Sequence, residues 1–155
     1  GYFTTNSHPA FAFQGGPFDV LKEKTPLWRA IRDCNYRVRM LGGYLNQLRS
    51  TGVFYSLNAS DRESLGDFGQ LPGRLVKKLT CDRSTSSFLI GEFRAEDGVD
   101  YVMVVNLNLN STAHFTVEMD KDCVFQAINS YTGSPTSSDT WLRPGQGKLY
   151  RVTTE

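Results

Sequence analysis

Few side chains in this sequence are of the kind that make or break bonds, and their spacing limits what they can do. His8 and His114 are the two histidines, and they stand on separate segments. No Ser/His/Asp or Cys/His triad can be nominated from them. Cys34, Cys81 and Cys123 are odd in number and far apart, with no C-x-x-C and no Cys/His cluster. No metal site is expected, at most one internal disulfide can form, and the simplest expectation is three buried thiols. No glycine-rich phosphate loop or dinucleotide fingerprint occurs, so no cofactor is expected. Among the carboxylates Glu92 stands out. It lies between Gly91 and Phe93 in an apolar run, and alternation puts it on the face of Phe88 and Ile90. A buried acid there would have a raised pKa and could act as a general acid. The alternative is a rim acid paired with a neighbouring Arg or Lys, favoured because no second carboxylate at matched spacing is apparent. Glu96, Asp97 and Asp100 flank a Gly98 turn and read as solvated turn residues.

Aromatic residues offer binding rather than catalysis. Exposed Trp and Tyr faces stack on the C–H surface of sugar rings. Trp141 follows the polar run Ser137-Ser138-Asp139-Thr140, Tyr131 precedes Thr132-Gly133 at a turn, and Tyr150 lies on the last apolar run. Two or three of them on one sheet would make a platform. The competing reading is that they cap a core with their polar tips wet. Two triplets, Asn58-Ala59-Ser60 and Asn110-Ser111-Thr112, fit the N-glycosylation pattern, which matters only for a secreted eukaryotic protein.

These residues need a scaffold, and 155 residues suffice for one domain or one domain with an appendage. The 39% apolar and 21% charged content permits a packed core. A formal net charge of +1 without a basic block gives no support to a nucleic-acid partner. No apolar run approaches the roughly 18 residues needed to cross a bilayer, and no membrane partner is expected. The opening Gly1-Tyr2-Phe3-Thr4-Thr5 lacks the basic start and apolar stretch of a signal peptide, and a start without Met suggests a piece of a longer protein.

One helix is predicted. Thr25 is an N-cap candidate and Pro26 suits the first helical position. Leu27, Ile31, Cys34, Val38, Leu41, Leu45 and Leu48 then draw a single apolar stripe, interrupted by Gly42-Gly43 and ended by Ser50-Thr51-Gly52. Such a helix cannot bury its own stripe and needs a partner surface, expected to be the sheet that follows. Beyond it, short β-rich runs alternate with turn residues: 53–55, 75–81, 88–94, 99–109, 113–119, 124–128 and 148–153. Residues 58–73 read as a long loop, and Asp97-Gly98 as a tight hairpin turn. The fold class expected is mainly β with one long helix: an antiparallel β-sandwich of about seven strands, preceded by a loop and the α-helix.

Two stretches resemble a known arrangement. The first runs from Gly1-Tyr2-Phe3-Thr4-Thr5 through Gly15-Gly16 and Thr25-Pro26-Leu27-Trp28 to Leu48-Arg49-Ser50-Thr51-Gly52-Val53-Phe54-Tyr55. It is similar to the end of a bacterial (β/α)8-barrel glycoside hydrolase of the β-galactosidase-like kind. The second comprises Phe88 to Phe93, Asp97-Gly98, Tyr101 to Asn106, Tyr131-Thr132-Gly133 and Leu142 to Val152. It resembles the C-terminal β-sandwich that follows such barrels. The resemblance implies residues 1–52 as a remnant of the barrel end and 53–155 as an accessory sandwich. It implies a secreted or periplasmic parent enzyme, with its catalytic carboxylate pair on barrel strands that this chain does not carry. This chain is then no enzyme by itself. Its expected role is non-catalytic support of the barrel, with the missing barrel, or self-association through apolar surface, as partner. An independent carbohydrate-binding module using Trp141, Tyr131 and Tyr150, and a ligand-free protein-interaction domain, are the two rivals. Asn6 and His8 would be remnants of the barrel mouth, in reach of a sugar hydroxyl only in a complete barrel.

Overall fold

The computed structural model describes residues 16–66, 69–119 and 123–154. The chain divides into two compact units between Gly43 and Tyr44. The expected barrel strand near residues 2–5, and with it Asn6 and His8, lies outside the described residues.

In the first unit Asp19 closes a turn, its Oδ1 accepting the N–H groups of Leu21 and Glu23 at 2.8 Å each. Helix α1, Pro26–Leu45, follows with Pro26 at its first position. The Lys24 ammonium sits 4.2 Å from the Trp28 ring centre and the Arg32 guanidinium 5.0 Å. Trp28 and Arg32, four apart, lie on one helical face, and Lys24 reaches the same ring from just ahead of the helix. Leu27, Val38 and Leu45 of the apolar stripe are exposed, and no described residue of α1 is buried.

The second unit is the predicted mainly-β fold. Strand β1, Leu48–Ser56, is followed by helix α2, Ala59–Leu65, and then by β2, Val76–Cys81, β3, Phe88–Ala95, and β4, Asp100–Asn106. Next come β5, Ala113–Met119, β6, Cys123–Ala127, β7, Trp141–Leu142, and β8, Gly147–Thr154. One sheet has the order β1-β3-β4-β8-β6 and the other β2-β5-β7, with every named pairing antiparallel. Their inner faces meet in a core of Val76, Leu79, Phe88, Ile90, Val102, Val104, Phe115, Leu142, Tyr150 and Val152. Phe115 of the small sheet packs against Phe88 and edge-on against Tyr150 of the large one. This is a sandwich-like, two-layer arrangement.

Several boundaries depart from the sequence pattern. The helix stops at Leu45 and β1 begins at Leu48, so Leu48 belongs to a strand rather than to the helical stripe. Ser50, Thr51 and Gly52 lie inside that strand, where the β1–β3 register shifts between Ser50 and Gly52. A bulge tolerates glycine and short polar residues that read as a stop signal. The expected loop 58–73 contains α2, capped by Asn58, whose side-chain oxygen accepts the Asp61 N–H at 2.9 Å. The two-residue β7 lies within an otherwise polar segment, so it has no alternation to read. The thiols also differ from expectation: Cys34 is exposed, Cys81 and Cys123 are partly buried, and all three are free.

Candidate functional site

Glu92 is the carboxylate to settle first. It is 0% exposed on the inner face of β3, as alternation predicts. Its Oε2 accepts the Arg74 N–H at 3.0 Å, and its Oε1 accepts those of Leu75 at 2.9 Å and Val76 at 2.8 Å. Three main-chain donors satisfy the oxygens of this buried carboxyl group. Glu92 is therefore not a rim acid paired with Arg or Lys. It is an internal anchor that fixes the segment entering β2. Gly73 completes this arrangement, because a Cβ there would run into Glu92 Oε1 and the Phe54 ring.

The anchored segment carries Arg74 to the edge of a groove at one end of the sandwich. Arg74 Nη2 and Nη1 donate to Asp100 Oδ1 and Oδ2 at 2.7 and 3.2 Å. Arg94 Nε and Nη2 donate to the same two oxygens at 3.0 and 3.1 Å. Arg94 and Asp100 face each other because the hairpin pairs them in register across the Asp97-Gly98 turn. Gly98 takes φ 83°, a conformation that glycine supplies at low cost. Partial burial pushes the Asp100 carboxyl up, but the Arg94 and Arg74 guanidinium groups outweigh it and hold the carboxyl below its ordinary range. Behind these charges the groove is about 520 Å³, with Leu75, Val99, Met119 and Val152 among its walls. Asp100 is thus not the solvated turn residue expected but the shared partner of two guanidinium groups. The hairpin signal was sufficient to pair it with Arg94, but nothing local indicated Arg74.

The predicted aromatic residues separate. Trp141 is 53% exposed on β7 and stacks at a tilt on His114 of β5, with ring centres 4.9 Å apart. Its backbone is fixed on both sides. The N–H donates to Asp139 Oδ1 at 3.0 Å, and the carbonyl accepts from Lys148 Nζ at 2.8 Å. Lys148 also pairs with Asp139 Oδ2 at 2.5 Å. Partial burial raises the Asp139 carboxyl, while Lys148 and the Trp141 N–H lower it by more. His114 Nε2 lies 3.0 Å from Thr140 Oγ1. Trp141 thus presents an aromatic surface on a rigid mount, flanked by groups able to hydrogen-bond. Tyr131 is also exposed, in the turn that Asn129 organises by accepting the Tyr131 and Thr132 N–H groups.

Tyr150 is a correction. It is 0% exposed, stacked on Phe125 with ring centres 4.1 Å apart, and its hydroxyl donates to the Asp139 carbonyl at 2.9 Å. Burial, and secondarily the Asp139 carboxylate, push its phenol up. Tyr150 has no face to offer a ligand, because β8 is an interior strand and this position points into the core. Among the described residues no group of three or more His, Cys, Asp and Glu side chains could hold a metal ion, and no helix is long and apolar enough to cross a membrane. Comparison with protein-family models, curated proteins and solved structures yields no match.

Proposed function

We propose that the chain is a non-catalytic accessory part of a carbohydrate-active enzyme, a β-sandwich that supports a (β/α)8 barrel. The resemblance of the barrel-end and sandwich segments motivates the reading, and Glu92 is the observation that carries it. Glu92 is the one buried carboxylate among the described residues, and all three of its hydrogen bonds go to backbone amides. A general acid needs a path to the glycosidic oxygen and a second carboxyl group across the bond. Glu92 has neither. The pure chain should turn over no chromogenic glycoside. Turnover abolished by Glu92→Gln would sink the proposal.

A second reading, carbohydrate binding by the sandwich, is favoured by Trp141. Its ring is exposed while its backbone is pinned, so little conformational freedom is lost on stacking. Affinity electrophoresis through gels containing soluble polysaccharides tests it. Trp141→Ala should abolish retardation and shift the urea midpoint little, as expected for a half-exposed side chain. Equal retardation of both proteins excludes this platform.

A further inference from the structure

We propose that the groove at the Asp97-Gly98 end of the sandwich binds a small organic monocarboxylate with an apolar body of one or two rings. This site is separate from the Trp141 surface and does not depend on the carbohydrate reading. Five observations lead to it. At about 520 Å³ the groove falls within the range of small-molecule pockets. Leu75, Val99, Met119 and Val152 supply carbon walls suited to an apolar body. At one side stand two guanidinium groups against one carboxylate, leaving one positive charge uncompensated within the cluster. Arg74 uses its two terminal nitrogens on Asp100, and Arg94 its Nε and Nη2, so Arg74 Nε and Arg94 Nη1 keep donor capacity. Finally, the Arg74 backbone is tied to Glu92 in the core, so this donor is held in place before a ligand arrives.

The same arrangement selects among ligand classes. A carboxylate accepts parallel N–H bonds from guanidinium groups and neutralises the excess charge. A neutral sugar would bring hydroxyl donors, but Asp100 already accepts four N–H bonds and offers them little. A phosphate ester carries more charge than this cluster leaves unbalanced. An acid without an apolar body would leave the carbon walls wet.

The test is an NMR titration of the whole chain with benzoate, 3-phenylpropionate and 2-naphthoate, following the Gly98 amide and the Val99 and Val152 methyl groups. At least one acid should give saturable shifts of these signals by about 20 mM, a millimolar or tighter dissociation constant. The matching alcohol of that acid, and acetate, should each bind at least about tenfold more weakly. Arg94→Gln, at a side chain more than half exposed, should weaken binding by about fivefold or more while its amide spectrum elsewhere stays unchanged. Arg74→Gln should do the same, and Arg62→Gln, on α2, should leave affinity unaltered. The proposal is overturned if none of the three acids shifts the groove signals, if the alcohol binds as well as the acid, or if both arginine variants keep full affinity.

Discussion

Glu92 shows how a carboxylate can be necessary to this molecule without being chemically available. Its two oxygens take the N–H groups of three consecutive residues, and no water-facing surface remains. Glu92→Gln preserves shape but replaces one acceptor oxygen with an amide NH₂ that meets donors. We expect a loss of about 2–4 kcal/mol in urea denaturation, from lost main-chain bonds and an unsatisfied buried donor. A change below about 0.5 kcal/mol would mean that these three bonds do not anchor the segment. Asp100 behaves differently because it lies at the groove edge. Its folded-state pKa is lowered by Arg94 and Arg74 against the raising effect of burial. The unfolded chain therefore binds more protons between the two values, and stability rises with pH across that window. The Asp100 contribution is complete above the ordinary Asp value of about 3.9 and disappears as pH falls through the folded value. Asp100→Asn should cost about 1 kcal/mol at pH 7, and the gap to the parent should close in acid. A gap that stays constant down to pH 2 contradicts the assignment.

At the scale of elements, the segment from Gly73 into β2 joins core to groove. The Gly73 N–H donates to the Val76 carbonyl at 2.8 Å, and the open space at its Cα is filled by Glu92 and Phe54. Gly73→Ala should destabilise by about 1–3 kcal/mol, as overpacking of a tight site does. It should also perturb the amide signal of Arg74. An unchanged midpoint would show that the neighbours give way freely. This segment also shows what the sequence could convey. The β3–β4 hairpin was legible because alternation and Asp97-Gly98 agree, and they bring Arg94 opposite Asp100. The inward face of Glu92 was legible from the same alternation. Its partners were not, since backbone amides from residues 74–76 carry no side-chain signature. β7 escaped because it is two residues long within a polar segment, and α2 because it is short and polar; their stability comes from pairing and capping rather than from periodicity. Tyr150 misled for a related reason. A tyrosine on a strand reads alike whether its hydroxyl ends in water or on a buried carbonyl.

At the scale of the whole molecule, the decisive matter is where a foldable unit begins. The resemblance placed the sandwich at residue 53, within β1. The structure pairs Leu48, Arg49 and Ser50 with Ala95, Arg94 and Phe93 of β3, and Gly52 with Glu92. Just ahead of β1, the Tyr44 hydroxyl donates to the Gly133 carbonyl at 2.7 Å, and its ring lies 5.9 Å from that of Tyr101. The buried residues of the main core cluster lie between Val76 and Val152, with Leu57 buried ahead of them. A chain cut to residues 44–155 thus retains the complete five-stranded sheet and the Tyr44 contacts, and it should unfold in a single cooperative transition. A chain cut to 53–155 keeps the same core but loses the first half of β1. The β3 edge opposite Leu48 to Gly52 is then left with unpaired backbone groups, on the strand that holds Glu92. We expect this shorter chain to be less stable by about 2 kcal/mol or more, a large share of the total for a domain of this size. It should also tend to associate through the bared edge. Urea melts read beside sedimentation velocity separate the two cuts. Matching midpoints for two monomeric fragments would show that residues 44–52 are dispensable and that the sandwich begins where the sequence pattern put it.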